Sequence, residues 1–352
     1  MTLYIGVDFH PHQQTVCWMD EETGELRSED LRHESVFVKE FYEAMPRCVV
    51  GIEASARAVW FEDLIFECGH ELVVGDPVLI RKRAVSRHKS DRRDAEHIYT
   101  LLANGEFPAL WRRPRESTDI LEIISLRGSL VRQRTQVYNR LQRIAHECGL
   151  KKGGMPTLRF QAQVKAALRS DCQRLRSEHL FRLLECLKAQ IAELDDLLTK
   201  RVRESENARL LMTQPGVGYL TALSMVHTVG DVQRFSSTRQ ITAYLGLDPL
   251  EQSSGSRTRF GRISKAGSPQ LRYLLGQSAH LAVKGDARLR SFYKRLAKRK
   301  PKAVAKTATA RKLGVKLSIM LRDGITAAEF DMRGTRAVDN ARVAPRPEMA
   351  VT

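Results

Sequence analysis

Leu3-Tyr4-Ile5-Gly6-Val7-Asp8-Phe9 stands at the head of a 352-residue chain. It reads as a β-strand. Leu3, Ile5 and Val7 alternate, so they share one face of an extended backbone, and a carboxylate follows at once. No basic stretch precedes the apolar residues, so the segment is expected to be a strand and not a secretion signal. A second strand is expected at Thr15-Val16-Cys17-Trp18-Met19. The turn Glu21-Glu22-Thr23-Gly24 leads to a third strand from Glu25 to Leu31. A helix over about 35–44 follows, then the strand Cys48-Val49-Val50-Gly51-Ile52, which ends at Glu53. A helix over about 56–68 stops at Cys68-Gly69, and the strand from Glu71 to Gly75 stops at Asp76-Pro77, with a helical pattern beyond. The order βββαβαβα predicts a mixed sheet flanked by helices, an α/β layer architecture.

The texture changes at Trp111-Arg112-Arg113-Pro114. From Leu121 to Leu150, and again from Ser170 to Ser205, apolar residues recur at helical spacing amid dense charge, as in Leu180, Leu183, Leu184, Leu187, Ile191, Leu194 and Leu198. Such stripes suit a helical hairpin or coiled coil, broken at Lys151-Lys152-Gly153-Gly154-Met155-Pro156. The expected organisation is an α/β catalytic domain over 1–110, a helical spacer over 111–207, a small, mostly helical domain over 208–330 and a disordered tail over 331–352.

With 58 basic and 41 acidic side chains the formal charge is +17, spread along the chain, which points to nucleic acid as partner. A hydrophobic content of 42% excludes a wholly disordered basic tail. No run of about 18 apolar residues is present, so no transmembrane helix is expected. The six cysteines are scattered without a CxxC pair, which argues against disulfide and zinc frameworks and fits a reducing cytoplasm.

Four carboxylates carry the chemistry. Asp8 lies on the first strand and Glu53 at the end of the fourth. Asp91 and Asp94, in Ser90-Asp91-Arg92-Arg93-Asp94-Ala95, open a helix and share one of its faces. Singly, each acid has an ordinary use: Asp91 as a helix-start acid, Asp94 paired with Arg92 or Arg93. Together, two strands and one helix can bring four acids to one point, where self-repulsion demands cations. Two divalent ions roughly 3.5–4 Å apart would clamp a phosphodiester. Oxygen-only ligands favour magnesium or manganese. His10 and His12 give only a weak transition-metal signal, because such a pair beside a turn is ordinarily solvated.

Gln214-Pro215-Gly216-Val217-Gly218 resembles a helix-hairpin-helix turn, in which Gly216 and Gly218 would let the backbone approach a phosphate; the plain alternative is an αα turn. The loop over 247–267 sets Ser253, Ser254 and Ser256 among Arg257, Arg259, Arg262 and Lys265, with Arg272 just beyond. A serine there could attack a phosphate held by the arginines, or the loop could bind phosphate alone. On these residues alone binding is favoured, since serine needs an activator and no histidine adjoins it.

In the order and spacing of its motifs the chain resembles the DEDD transposases of the "one-hundred-and-ten" family of insertion sequences, from Asp8 to about Asp331. The resemblance rests on Tyr4-Ile5-Gly6-Val7-Asp8, Gly51-Ile52-Glu53-Ala54 and Ser90-Asp91-Arg92-Arg93-Asp94-Ala95. Further on it rests on Pro215-Gly216-Val217-Gly218, Leu245-Gly246-Leu247-Asp248-Pro249, Ser254-Gly255 and Ile263-Ser264-Lys265-Ala266-Gly267. It implies a RuvC-like (RNase H-like) domain, a coiled-coil spacer and a C-terminal transposase domain. The family's acidic tetrad falls on Asp8, Glu53, Asp91 and Asp94, and its nucleophilic serine on Ser254, with Ser253 one residue away. The resemblance further implies a homo-oligomer, dimer or tetramer, with an active site shared between subunits. A structured guide RNA would pair with donor and target DNA, and a phosphoserine-linked DNA strand would form without ATP. Beyond about Phe330 the family pattern is lost. Two alternatives remain: a RuvC-like nuclease that hydrolyses DNA through a metal-bound water, and a non-catalytic nucleic-acid-binding protein. A sugar-kinase or actin-like ATPase would need a Gly-rich phosphate turn after Asp8, where Phe9-His10-Pro11 stands.

Overall fold

The computed structural model describes residues 2–20, 23–34, 36–54, 59–83, 90–150, 157–251 and 260–333. Two compact units follow one another along the chain, Met1–Arg112 and Arg113–Thr352.

The first unit contains β1 (Leu3–Phe9), β2 (Gln13–Met19), β3 (Leu26–Arg32), α1 (Phe37–Ala44), β4 (Cys48–Glu53), α2 (Val59–Glu67), β5 (Glu71–Gly75), α3 (Pro77–Arg83) and α4 (Asp91–Ala103). The sheet is mixed and five-stranded, in the order β3-β2-β1-β4-β5. β1, β2 and β3 form an antiparallel meander, and β4 pairs parallel with both β1 and β5. This is the α/β layer expected from the alternation.

Strand periodicity sorts the side chains onto two faces. Ile5, Val7, Val50 and Ile52 pack with Tyr42 of α1 and with Phe61 and Ile65 of α2. The opposite face carries Tyr4, Gly6 and Asp8 on β1, in register with Val49 and Gly51 on β4. Here the paired glycines leave a trough for α4. A β-carbon at Gly6 would overlap the Ala95 carbonyl and the Tyr99 backbone, and one at Gly51 would press into Leu102 and Ile98. Ile98 and Leu102 join Ile80 and Leu101 in a small core on this side. The Ser90 hydroxyl caps α4 by accepting from the Arg93 N–H, so the helix starts with Asp91 in its first turn.

The second unit is built on two long helices, α5 (Arg115–Glu147) and α7 (Asp171–Glu204), with α6 (Leu158–Ala167) between them. Val137, Leu141 and Ile144 of α5 meet Phe181, Leu184 and Leu187 of α7, closed by Phe160 and Val164 of α6. Ser170 and Gln173 form a capping box at the start of α7. Nearer their other ends, Ile120, Ile124, Leu198 and Val202 enter the core of the C-terminal helices. Those are α8 (Glu206–Met212), α9 (Tyr219–Val229), α10 (Thr238–Tyr244), α11 (Pro269–Gly285), α12 (Ala287–Ala297), α13 (Lys302–Asp323) and α14 (Ala327–Met332). The long helices thus share a core with the region that follows them.

Two features were not anticipated. α6 is one, and the other is a hairpin of β6 (Pro249–Glu251) and β7 (Phe260–Ile263) on either side of residues 252–259. The break at 151–156 and most of the expected tail, 334–352, lie outside the described residues. Among the described residues no helix is long and apolar enough to cross a membrane. All six cysteines are free.

Candidate active site

α4 runs antiparallel to β1 over the glycine trough, so its N-terminus arrives where β1 ends. Asp8 stands there, its side chain 14% exposed, with Asp91 and Asp94 in the first turn of α4. The β1–β2 turn adds a third element. The His10 N–H donates to the Gln13 carbonyl at 2.9 Å, which folds the chain back and directs the imidazole at the acids. His10 Nε2 lies 3.1 Å from Asp8 Oδ2 and 3.6 Å from Asp91 Oδ1. One donor atom from each of Asp8, His10 and Asp91 falls within 4.8 Å of the others, close enough to hold one metal ion.

Burial pushes the Asp8 carboxyl above the usual carboxylate range, His10 pulls it back down, and the neighbouring Asp94 and Asp91 carboxylates push it further up. A cation at this point would relieve both the burial and the repulsion. Glu53 ends β4 beside β1 and follows Gly51 on the α4 face. Its carboxylate reaches Arg81 of α3 at 3.5 Å and stands outside the three-residue cluster. His12 is exposed; its carbonyl accepts from the His33 N–H at 2.9 Å. The histidine pair set aside on sequence grounds therefore divides, and His10 joins the acids.

In the second unit the turn over 214–218 is built for packing. Gly216 has φ +86°, and a β-carbon on it would strike Ala282 and the Ser278 carbonyl of α11. Gly285 makes similar room for Pro215. The glycine at 216 is thus required by the close approach of α11, and only Gly218, exposed at the N-terminus of α9, presents an open backbone.

Ser253, Ser254, Arg257 and Arg259 lie outside the described residues. The flanks of their loop are clasped at the hairpin base. The Ser264 N–H donates to the Asp248 carbonyl at 2.9 Å, the Ser264 hydroxyl bonds the Asp248 carboxylate, and the Lys265 N–H donates to the Gly246 carbonyl at 3.2 Å. β-carbons at Gly246 or Gly267 would collide with the opposing backbone. Lys265, at φ +57°, is the one non-glycine residue with positive φ among the described residues, and such strain is held only where surrounding contacts impose it. Arg262 and Lys265 are exposed, whereas Arg272 is half-buried and donates to the Gly267 carbonyl.

Residues 5–148 match a family described as a transposase, and residues 208–294 match one described as "Transposase IS116/IS110/IS902 family". The chain is 29% identical over 318 residues to the "Probable family 20 transposase" of Pseudomonas aeruginosa, covering 87% of this chain and 89% of that one. To the transposase for insertion sequence element IS1328 of Yersinia enterocolitica it is 28% identical over 289 residues, 79% and 83% of the two chains. With y4qE of Sinorhizobium fredii it shares 30% identity over 291 residues, 74% and 72%. An acid cluster at the end of the central strand and a clasped hairpin further on, each inside a matched segment, agree with these likenesses: the chain belongs to the IS116/IS110/IS902 family of DNA transposases.

Proposed function

We propose that this transposase excises and inserts its element by strand exchange through a phosphoserine–DNA intermediate at a divalent-metal carboxylate site. The observation that carries the reading is the meeting of Asp8 with Asp91 and His10 at the end of β1, beside Asp94 and Glu53. The sheet order, with its antiparallel meander and parallel outer strands, supports a RuvC-like, RNase H-like assignment for the first unit. The packed ends of α5 and α7 support a coiled-coil spacer.

The donor set fits a hard divalent cation, magnesium or manganese: clustered carboxylate oxygens around a buried acid that lacks a full countercharge. Asp8, Asp91, Asp94 and Glu53 would hold it, and the imidazole of His10 favours manganese over magnesium. Bound there, the ion supplies Lewis-acid stabilisation of a phosphodiester. The chain's own part is positioning. α4 and the glycine trough fix the acids, Arg262, Lys265 and the loop arginines hold phosphate charge, and the hairpin clasp holds both ends of the serine loop.

Ser254 Oγ forms a bond to phosphorus as one P–O ester bond breaks. The serine proton is lost and the departing strand leaves as a free hydroxyl. Attack by the hydroxyl of a new strand end reverses the step and restores Ser254. One ester bond replaces another at each stage, so no nucleotide cofactor is needed. In this reading a structured guide RNA pairs with donor and target DNA, the active site is shared between subunits of a homo-oligomer, and the protein works in the cytoplasm on the nucleoid.

The test is incubation of full-length protein with its element's RNA, magnesium and labelled DNA, read on a denaturing gel. A protease-sensitive adduct that vanishes in Ser254→Ala and persists in Ser253→Ala is the expected result. Cleaved DNA without an adduct would establish hydrolysis by water instead.

A further inference from the structure

Among α12, α13 and α14 lies an open cavity of about 890 Å³, in the range of ligand pockets. Its floor is a closed charge network. Lys316, almost fully buried, donates to Asp286 at 3.0 Å and to Asp331 at 2.9 Å, and Gln214 donates to the same Asp286 at 3.1 Å. Asp286 also caps α12 through the Leu289 N–H at 2.9 Å. Every acid lining the cavity is therefore occupied, Asp331 by Arg288 as well.

The walls carry charge that the floor does not match. Arg295, Arg311 and Lys312 line the cavity, and none forms an ion pair among the described residues. They surround Phe292, a half-buried ring with Lys312 Nζ 4.7 Å and Arg295 Cζ 5.8 Å from its centroid. Unpaired cations around an accessible ring meet two needs of one ligand, phosphate charge and a flat base. In a duplex the bases are stacked on each other and cannot reach the ring, and an acidic peptide would use the cations but leave it unused.

We infer that this cavity binds single-stranded nucleic acid, with a base stacked on Phe292 in place of the Lys312 ammonium and flanking phosphates on Arg295, Arg311 and Lys312. The buried network beneath makes the platform rigid, so binding costs little reordering. The residues lining the cavity all belong to the second unit and include none of the carboxylate cluster, so Asp8→Ala is expected to leave binding there intact.

Fluorescence anisotropy of the full-length protein tests this with short labelled oligouridylate, oligothymidylate and a duplex of equal length. Phe292→Leu keeps apolar bulk but removes the π-face. It is expected to weaken binding of the single strand that the site serves by about five- to a hundredfold, with duplex binding unchanged and Phe292→Tyr close to wild type. Whichever strand shows the loss identifies the ligand as RNA or DNA. Arg311→Gln with Lys312→Gln should flatten the single-strand salt slope by about 1.4, since each lost phosphate contact removes about 0.7. Equal losses on duplex and single strands, wild-type binding by Phe292→Leu, or polyglutamate competing in a Phe292-dependent way would each overturn the inference. If Phe292→Leu fails to fold, an unchanged salt slope in the double variant overturns it.

Discussion

Gly6→Ala adds one methyl group at the point where the fold and the site meet. The new β-carbon would fall 2.2 Å from the Ala95 carbonyl oxygen and 2.3 Å from the Tyr99 nitrogen, where ordinary contact begins near 3.4 Å. All the obstructing atoms are backbone, so no rotamer change relieves the overlap, and α4 must lift from β1 by about 1 Å. Such overpacking costs about 1–3 kcal/mol. In a unit of this size that lowers the melting temperature by roughly 4–8 °C for each kcal/mol. The functional cost is larger. Asp91 and Asp94 ride on the displaced helix while Asp8 stays on the strand, and a misplacement of about 1 Å costs on the order of a hundredfold in rate.

Gly6→Ala should therefore lose strand cleavage about a hundredfold and lose stabilisation by added manganese, although every proposed ligand is still present. Gly128→Ala is the control. It lies inside α5 with open space around it, the nearest atom being Arg132 Nη1 at 3.7 Å, and should be neutral or stabilising by up to about 1 kcal/mol. Thermal unfolding with and without manganese, alongside the cleavage assay, reads both effects. Wild-type activity in a Gly6→Ala protein that melts early would refute the argument that the helix seat sets the site.

Asp8 gives a pH prediction. Its carboxyl is raised in the fold above the ordinary aspartate value of 3.8, so the folded state holds that proton more tightly than the unfolded chain. Its stabilising contribution is complete below pH 3.8 and is lost as pH rises through the folded value. Without divalent ions, Asp8→Asn should lose less stability than wild type on going from about pH 4 to 7; parallel melting curves across that range would count against it. Manganese at about a hundred times its Kd should stabilise the wild type by about 2.7 kcal/mol and Asp8→Asn far less, measured by the shift in unfolding midpoint. Lys316→Met leaves Asp286 buried without its cation and should cost about 3–5 kcal/mol in denaturant unfolding. In the wild type Asp286 sits below its ordinary value, so its contribution is present above pH 3.8 and is lost as pH falls through the folded value. That acid-range loss should be diminished in Lys316→Met.

Much of the first unit was legible because its signals are local. Alternation in Leu3, Ile5 and Val7, an acid at the strand end and a serine before Asp91 each declare themselves within a few residues. His10 was not legible. Its place beside Asp8 depends on the turn closed by its own N–H onto Gln13, and spacing alone left two equivalent histidines. Gly216 shows a second requirement on another scale. Its motif reads locally as a phosphate-binding turn, yet the reason it must be glycine lies more than sixty residues away, at Ala282. β6 and β7, of three and four residues, are too short to alternate visibly, and their pairing is secured by the Asp248–Ser264 clasp.

Two buried acids show how the chain separates structure from chemistry. Asp286 and Asp8 both suffer from burial, yet their carboxyls move in opposite directions. Around Asp286 the fold provides a backbone N–H, the Lys316 ammonium and the Gln214 amide, and these outweigh the cost of burial. Asp8 receives one imidazole and two further carboxylates, so its charge is left short of compensation. Lysine beside Asp8 would have been the ordinary remedy for stability, as at Asp286. A trio of acids kept together by a glycine-seated helix, with no lysine or arginine paired to Asp8 among the described residues, is instead the arrangement that the proposed divalent cation would complete. That is the physical ground on which the proposed metal is placed at Asp8 and not at Asp286, which is more deeply buried yet fully compensated by the chain itself.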